Sequence, residues 1–512
     1  MKLTGPNKVG ITGIVFLAID ILLQTVIFPS ILKSEVKKKV ALKNGWPMRT
    51  AWSKLTFPLE MHWYIFNITN TAEVEKGGKP KVREVGPFVY DVWQEKINQE
   101  DHEEDDTLSY TLRNTYFFNP IKSGGLDDSD ELMLPHLTML GIPNGLLKDR
   151  PFLMPIASRA IDSLLKNPQS VFLRAKVRTL LFDGFLIECR GIEDFHGKVM
   201  CNDLHENYDS YLLVKVGELN YTNSLWGPFN GTDKAGKRLR IKRGIENILQ
   251  LGKVQESNHK KNFSAWNADH CDSFLGSDFT IFPPLPNKKK KQSFFATHNV
   301  LCRNFKYTYD STVHYKGLEL LRYTTVVGVD GRNKPEEQCF CMNSNQCPPI
   351  GVLDLYKCLH VPLAISSPHF YQADPYLVRS LDGLKPVKEK HMMMIDIDPL
   401  TGYAVRINTR FQVNLNIMPL KKYRLMESFP DVLLPLAWFN EQTVLPYSYI
   451  KVIKACHRTV IISIVLNYIL MFGGLGMCAY AGYHQYKLRR EKQLNITTEL
   501  TPKNKEQTFN KT

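Results

Sequence analysis

The sequence lacks the signatures of the common enzyme classes. It contains no G-x-S-x-G nucleophile elbow, no H-E-x-x-H zinc pair and no C-x-x-C redox motif. The nearest approach to a phosphate-binding loop is residues 231–238, but Arg238 stands where that loop needs a hydroxyl for magnesium. The histidines are scattered singly. We therefore expect a protein that is not an enzyme and that holds no metal or cofactor.

Internal repeats and long flexible linkers are also missing, and 43% of the 512 residues are hydrophobic, which excludes a largely disordered chain. There is no acidic excess, because 65 basic residues stand against 51 acidic ones, a net charge of +14. That balance alone fits nucleic acid, an anionic membrane or an acidic protein as partner. The choice among them depends on where the chain resides.

Two apolar stretches indicate membrane anchors. Residues 9–28 contain one charge, Asp20, and residues 460–480 contain none. Each is as long as the roughly 20 residues that cross a bilayer as a helix. The first is longer than the apolar core of a signal peptide, roughly 7 to 15 residues, and no cleavage motif follows it. We predict two transmembrane helices, at 9–28 and 460–480, with both chain ends on the same side.

Charge and glycosylation sequons predict which side that is. Four basic residues follow the second stretch, which favours a cytosolic C-terminus. They are Lys487, Arg489, Arg490 and Lys492. The segment between the stretches contains N-x-S/T sequons at Asn67, Asn220, Asn230 and Asn262. We predict cytosolic ends at 1–8 and 481–512 and a glycosylated extracellular domain at 29–459. For an extracellular domain we do not expect nucleic acid as a partner.

Most cysteines lie in this extracellular segment, where disulfides form. One group falls within residues 271–358: Cys271, Cys302, Cys339, Cys341, Cys347 and Cys358. Their even number predicts three disulfides, and Cys189 with Cys201 would make a fourth. The alternative is a structural zinc site on Cys339, Cys341, Cys347, Cys358 and His360. Its first pair has C-x-C spacing, whereas structural zinc ligands usually come as C-x2-4-C.

Alternating apolar residues predict a mostly β domain. The clearest strand is 411–417, where apolar and polar side chains alternate to give one buried and one solvent face. Further strands are predicted at 82–93, 211–216 and 318–329.

A helical hairpin is predicted at about 156–184. Apolar residues from Ala157 to Leu165 recur at helical spacing, and a second helix is predicted from Ser170 to Gly184. The hairpin carries four basic residues: Lys166, Arg174, Lys176 and Arg178. This surface can attract a carboxylate or an acidic carrier protein, or it is an ordinary solvated helix face.

Several motifs that occur together and in order resemble the CD36 scavenger-receptor family. They are the two anchors, Arg83-Glu-Val-Gly-Pro-Phe-Val-Tyr90, and Cys339-Phe-Cys341 through Cys347-Pro-Pro349 to Cys358. Other motifs are most similar to the insect sensory neuron membrane proteins. They are Arg113-Asn-Thr-Tyr116 with Phe118-Asn-Pro120, Pro368-His-Phe-Tyr371 with Asp374-Pro375, and the pair Cys189 and Cys201.

The resemblance implies an α+β extracellular domain flanked by the two transmembrane helices, with an antiparallel β-barrel core and an apical helical bundle. A tunnel through the barrel would carry lipids toward the membrane. The implied disulfides are Cys271–Cys339, Cys302–Cys358 and Cys341–Cys347. The predicted hairpin would fall in the ligand-capturing bundle, where Lys166 matches a lysine implicated in fatty-acid capture.

The implied function is a cell-surface lipid or pheromone receptor of olfactory neurons. It would pass hydrophobic odorants, such as fatty-acid-derived pheromones, to an odorant receptor complex, with an odorant-binding protein as carrier. The alternative is a lipid or lipoprotein scavenger receptor without a sensory role, and a third reading is a receptor that binds only proteins. The tail has Glu491-Lys-Gln-Leu494 followed by Asn495 rather than a complete acidic dileucine signal, which favours the plasma membrane over the lysosome.

Overall fold

A computed structural model describes residues 5–208, 213–232, 237–284, 291–342 and 347–499. The chain divides into a central unit, Lys39–Ile450, and a terminal unit made of the two chain ends. The helices are α1 (Gly5–Leu22), α2 (Phe28–Val40), α3 (Pro47–Ser53), α4 (Thr71–Val74), α5 (Leu137–Asp149), α6 (Met154–Leu164), α7 (Phe195–Asn207), α8 (Asp269–Asp272), α9 (Tyr356–Leu359), α10 (Pro375–Arg379), α11 (Lys388–His391) and α12 (Tyr447–Glu499).

The strands all belong to the central unit. They are β1 (Leu59–Ile68), β2 (Val82–His102), β3 (Thr107–Phe118), β4 (Glu131–Pro135), β5 (Phe172–Lys176), β6 (Phe185–Glu188), β7 (Leu213–Val216), β8 (Asn220–Asn223), β9 (Leu239–Lys242), β10 (Val254–Ser257), β11 (Phe294–His298), β12 (Arg303–Tyr315), β13 (Leu318–Thr325), β14 (Val352–Asp354), β15 (Leu363–Ser366), β16 (Met393–Ile397), β17 (Ala404–Ile417) and β18 (Val432–Val444).

The described residues of the terminal unit, 5–38 and 451–499, belong to two long helices. The candidate membrane helices are Gly5–Val40 and Tyr447–Ile496, which are long and apolar enough to cross a membrane by length and composition. Within this unit the helices approach closely, because a Cβ on Gly13 would lie 2.8 Å from Cys478 Sγ. Both helices are longer than the predicted spans at 9–28 and 460–480.

Asp20, the charge in the first apolar stretch, is buried within the terminal unit, with 4% of its surface exposed. Its Oδ2 accepts a hydrogen bond of 2.9 Å from Gln24 Nε2. Its Oδ1 has no partner among the described residues. A carboxylate in an apolar helix is costly unless other groups bind it, and here one of its two oxygens is satisfied by its own helix.

One large antiparallel sheet nearly closes into a barrel in the central unit. The strand order is β10-β9-β3-β2-β1-β18-β17-β16-β13-β12-β11, with β15 on β17 and β14 on β15. The predicted strands are present with changed ends: 82–93 lies in β2, 318–329 is shortened to β13, and β7 begins at Leu213 because residues 211 and 212 lie outside the described part of the chain. The expected antiparallel barrel core is confirmed.

A short segment closes the gap between the two edge strands. Ser277 forms β-bridges both to Lys253, next to β10, and to Ala296 of β11. Val254 N donates to Gly276 O at 3.0 Å, and Thr297 N donates to Ser277 O at 2.7 Å. An open sheet edge exposes unpaired backbone groups, and residues 276–278 satisfy groups on both edges.

The polar face predicted for residues 411–417 is not exposed to solvent. Gln412 and Asn414 are both fully buried. Asn414 Nδ2 donates to Ser366 Oγ at 3.1 Å, and Gln412 Nε2 donates to Asn414 Oδ1 at 2.8 Å. The prediction of a solvent face was wrong because the segment that follows β15 packs on this side of β17, where His369 N donates to Gln412 Oε1 at 2.6 Å. Buried amides are tolerated when they are hydrogen-bonded.

The helical hairpin at about 156–184 is only half correct. Its first helix is α6. The predicted second helix begins instead as strand β5, which pairs with β4, and only residues 177–183 are helical, followed by Gly184. Every second residue from Val171 to Val177 is apolar, which is the pattern of a strand. The same stretch also fits the apolar spacing of a helix that continues to Leu181, so the two patterns overlap. Strand pairing overrides the local helical pattern here. The helical bundle is present, but it is built from α6 packed on α5 and α7.

Four disulfides staple the central unit. They are Cys189–Cys201, Cys271–Cys339, Cys302–Cys358 and Cys341–Cys347, the same pairs that the sequence and the family resemblance predict. The first joins α7 to the end of β6, and the bundle is further tied by the Ser163 hydroxyl, which hydrogen-bonds to Asp194 at the start of α7. Four of the five zinc-candidate residues are therefore bonded as disulfides, which leaves no thiolates for the alternative zinc site.

Gly276 offers a test of the seam that closes the sheet. Its φ is +79°, and a Cβ there would lie 1.7 Å from Phe295 O, whereas Gly45 has the same φ and open space around its Cβ position. Both alanine substitutions strain the backbone by about 1–2 kcal/mol, but only Gly276→Ala also pushes the seam apart. We expect Gly276→Ala to lower the free energy of unfolding by at least about 3 kcal/mol.

Denaturant titration followed by tryptophan fluorescence measures both variants, with Gly45→Ala as the matched control. Equal losses for the two variants would mean that the seam adds nothing to the stability of the barrel.

Candidate functional site

The barrel encloses a cavity of about 400 Å³. Strand residues line it at every second position, as expected for side chains that point to the inside of a barrel. They include Gln94 and Lys96 of β2; Tyr110, Leu112, Asn114 and Tyr116 of β3; Leu363 and Ile365 of β15; Ile407, Thr409, Phe411 and Val413 of β17; and Phe439, Glu441 and Thr443 of β18. The interior of the sheet is therefore hollow rather than filled.

Most of the wall is apolar and aromatic. Trp226 lies between Phe229 and Phe439, with ring centroids 5.2 and 5.1 Å away, and Phe411 stands 5.7 Å from Phe439. Ligand cavities in proteins typically measure about 300–1,000 Å³ and have mainly apolar walls with a few polar groups. The site is suited to a hydrophobic molecule, because each buried methylene contributes about 0.8 kcal/mol.

A cluster of polar side chains lies at one part of the wall. Asp278 is buried and accepts hydrogen bonds from Tyr110 Oη at 2.6 Å and from Thr280 Oγ1 at 2.9 Å. Thr280 Oγ1 in turn accepts a bond of 2.8 Å from Trp52 Nε1. Burial raises the pKa of Asp278 and, together with the nearby carboxyl, that of Tyr110. The oxygens of this carboxyl are thus already bound by neighbouring side chains.

Lys96 lies beside this cluster, and it is the one lysine or arginine among the residues that line the cavity. Only 4% of its surface is exposed. Its Nζ donates to Gln94 Oε1 at 2.9 Å and lies 5.1 Å from the centre of the Trp52 ring. Burial lowers the pKa of Lys96 to about 8, and the charge of Asp278 offsets only part of that effect.

Two other titratable groups face the cavity. Burial raises the pKa of Glu441. Burial also lowers the pKa of His298 to about 4, so this imidazole is neutral near pH 7. Asn114 Oδ1 and Asn299 Oδ1, on residues that also line the cavity, have no hydrogen-bond partner among the described residues. The cavity therefore holds one buried cation among groups that are neutral or biased toward the neutral form.

The four basic residues predicted for ligand capture are all exposed but do not share a helical face. Lys166 lies in the loop after α6 and pairs with Glu188 at 3.1 Å, and Arg178 pairs with Asp183 at 2.7 Å. Arg174 and Lys176 lie on β5, two residues apart, and have no ion pair among the described residues. The expected basic hairpin surface is thus two neutralised pairs and one strand with two free cations.

The four sequons differ in accessibility. Asn262 is exposed, and its Oδ1 accepts a hydrogen bond of 2.5 Å from Ser264 Oγ within the same sequon. Asn67, Asn220 and Asn230 are partly buried. The Oδ1 of Asn67 accepts a bond from Met133 N at 2.8 Å, and that of Asn230 accepts one from Tyr116 N at 3.1 Å.

His270, Cys271 and Cys339 bring three ligand atoms close enough to hold a metal ion. The two sulfurs are bonded to each other as a disulfide, however. A metal ligand must be the thiolate, so this cluster is not a metal site while the disulfide is formed.

Sequence reasoning missed Lys96. The predicted strand ended at residue 93, whereas β2 continues to His102, and Lys96 pairs with Leu112 of β3. The alternation of Val92, Gln94 and Lys96 was the available signal, because their side chains point to the same face of the strand.

A hollow barrel with an apolar interior, in a chain whose two terminal helices are long and apolar enough to cross a membrane, defines a membrane-anchored protein that can enclose a hydrophobic ligand. A family model described as the CD36 family matches residues 11–485. The chain belongs to the CD36 family. Its terminal helices and family fit a membrane protein that crosses the bilayer twice.

Individual relatives match along nearly the whole chain. Sensory neuron membrane protein 1 of Apis mellifera is 37% identical over 98% of this chain and 95% of its own length. The proteins of the same name from Manduca sexta and Bombyx mori are 35% and 33% identical, each over 94% of this chain and 92% of their own lengths. The resemblance to the sensory neuron membrane proteins seen in the sequence motifs is confirmed.

Proposed function

We propose that this protein is a cell-surface receptor of olfactory neurons that takes up hydrophobic, lipid-like odorants and passes them through its barrel to an odorant receptor complex. The cavity is the observation that carries this proposal, because an interior of about 400 Å³ with an apolar wall suits an alkyl chain. The name of the relatives, sensory neuron membrane protein, supports the cell type. A receptor needs no catalytic groups, and we propose no enzyme activity.

A scavenger or lipid-uptake receptor without a sensory role is the second candidate. The same cavity would serve it, and membership of the CD36 family is the observation in its favour. The two functions differ in what receives the ligand, which is an odorant receptor in one case and the cell interior in the other. Because odorant receptors occur in olfactory neurons, the cell type that expresses the protein distinguishes the two functions.

We propose that the central unit is extracellular and that both chain ends are cytosolic in the plasma membrane. Basic residues concentrated after the second apolar stretch support this orientation. Disulfides within the central unit support an oxidising compartment. We propose glycans at Asn67, Asn220, Asn230 and Asn262, with the fullest occupancy at the exposed Asn262.

Glycosidase digestion tests this orientation. We expect the digestion to reduce the apparent mass of the wild-type protein, and Asn262→Gln to remove the largest single share of that shift. Antibodies against either chain end should bind only permeabilised cells. Antibody binding to intact cells, or the absence of any glycan on the protein, would contradict the proposed topology.

Filling the cavity tests the proposed transfer. Thr443 lines the cavity, whereas Gln442, the next residue on β18, does not. We expect Thr443→Trp to lower the neuronal response to a hydrophobic odorant at least about tenfold, because the indole occupies space that the ligand needs. Gln442→Trp adds the same bulk to the same strand on its other face and should leave the response within about twofold.

The measurement is electrophysiology on neurons that lack the native gene and express each variant at equal surface density. A normal response with Thr443→Trp would mean that odorants do not travel through this cavity.

We propose that ligand capture relies on Arg174 and Lys176 more than on Lys166 and Arg178. The first two are exposed and have no ion pair within the described part of the chain, whereas the other two are paired. Glu131 stands opposite Lys176 in the strand register, but no ion pair joins them. A free surface cation attracts an anionic ligand or an acidic odorant-binding protein and raises the association rate.

Two double variants of equal net charge separate these pairs. We expect Arg174→Gln with Lys176→Gln to slow uptake of a fatty acid, and Lys166→Gln with Arg178→Gln to slow it less, because Glu188 and Asp183 already neutralise that pair. The difference should shrink above about 0.1 M salt, where charges are screened within about 10 Å. Equal rates for both double variants and wild type would mean that neither pair captures ligand.

A further inference from the structure

The cavity contains a cation with a single hydrogen-bond acceptor among the residues that the structure describes. A lysine ammonium has three N–H donors. Lys96 directs one to Gln94 Oε1 and faces the Trp52 ring. No carboxylate of the described residues lies within ion-pair distance of its Nζ. A buried charge is costly unless it is paired and hydrogen-bonded, so this ammonium is a site prepared for an anion.

The nearby carboxyl does not serve as that anion. Asp278 accepts hydrogen bonds from the hydroxyls of Tyr110 and Thr280 and from Thr280 N at 3.0 Å. These groups bind both oxygens of the carboxyl, which lies near enough to act on the pKa of Lys96 but forms no ion pair with it. The only other carboxyl that lines the cavity, Glu441 on β18, forms no ion pair with Lys96 either, and its burial favours the neutral form.

The surroundings suit a head group at this position and a tail beyond it. Lys96 projects from β2 into the same interior whose remaining wall includes Leu112, Phe411 and Phe439. An amphiphile can therefore place an oxygen anion on the ammonium and bury its chain against the aromatic wall. A carboxylate matches this arrangement, because it accepts charge-assisted hydrogen bonds from an ammonium.

We propose that Lys96 anchors the head group of the ligand inside the barrel and makes the cavity selective for lipids that carry a carboxylate. The inference rests on the proposed function, since it takes the cavity to be the lipid site. It differs from capture at the surface, because Lys96 is buried and acts after the ligand has entered.

The test compares two probes with the same tail, palmitic acid and hexadecanol, both tritiated. The full-length chain is kept in amphipol, and equilibrium dialysis near pH 7 gives the dissociation constants. Lys96→Met removes the charge, Lys96→Gln removes it while keeping a polar group, and Lys96→Arg keeps it. Lys306→Met is the control, since it removes an exposed lysine of β12.

We expect Lys96→Met and Lys96→Gln to weaken binding of palmitic acid at least about tenfold, the effect of losing one charge-assisted hydrogen bond. Hexadecanol should bind all variants within about twofold of wild type. Lys96→Arg should retain most of the preference for the acid, and Lys306→Met should change nothing. Unchanged hexadecanol binding also shows that the variants fold, so a loss confined to the acid supports the anchor.

Three results overturn the inference. If both neutral variants bind palmitic acid as wild type does while hexadecanol still binds, Lys96 is a structural cation and the proposed function stands without it. If the neutral variants lose both lipids equally, Lys96 supports the fold and confers no head-group selectivity. If wild type binds neither lipid, the anchor and the proposed lipid function fail together.

Discussion

Closure of the antiparallel sheet around a space that side chains do not fill is the constraint on which the rest of this structure depends. A sheet that closes has no exposed edge, and its inward side chains must either pack against one another or surround a cavity. Here the short bridge at Ser277 joins the two edge strands. The large aromatic residues inside stand around the space instead of occupying it, so the hollow is a property of the fold.

Closure of the sheet also determines the free-energy penalty of burying a polar side chain, because it decides which hydrogen-bond partners that side chain meets. Gln412 and Asn414 point away from the cavity and are satisfied by each other and by Ser366. Lys96 points into the cavity and has one side-chain acceptor. The two cases differ in what is available to satisfy them. The amides are satisfied by other side chains of the protein, whereas we propose that the ammonium is completed by the head group of a ligand.

The disulfides and the helical bundle have a supporting role. Three of the four disulfides lie within residues 271–358, a region with few long strands outside β12 and β13. The fourth holds α7 against the end of β6. Cross-links of this kind stabilise segments that secondary structure alone would leave poorly constrained. They also leave the cavity wall free of cross-links, since none of these cysteines lines it.

The sequence predicted the anchors, the disulfide pairs and the barrel, the last two through family resemblance, because apolar runs and ordered motifs are local signals. The predictions from sequence failed where contacts with distant parts of the chain determine the local structure. Residues 170–184 have helical spacing, yet β4 recruits residues 172–176 as a strand. Lys96 lies beyond the predicted end of its strand, and its role depends on Trp52 and Asp278, which are far from it in sequence. Neither residue could be predicted as a neighbour of Lys96 without knowing how the sheet closes.

The central claim is that a lipid occupies the interior of the barrel, and photo-cross-linking tests it most directly. A fatty acid with a diazirine at mid-chain would be bound to the full-length protein, irradiated, and mapped by mass spectrometry of the peptides. The account predicts that labels fall on inward residues of β3, β17 and β18, such as Leu112, Thr409 and Phe439. Labels confined to the terminal helices or to outward residues of the same strands would contradict it.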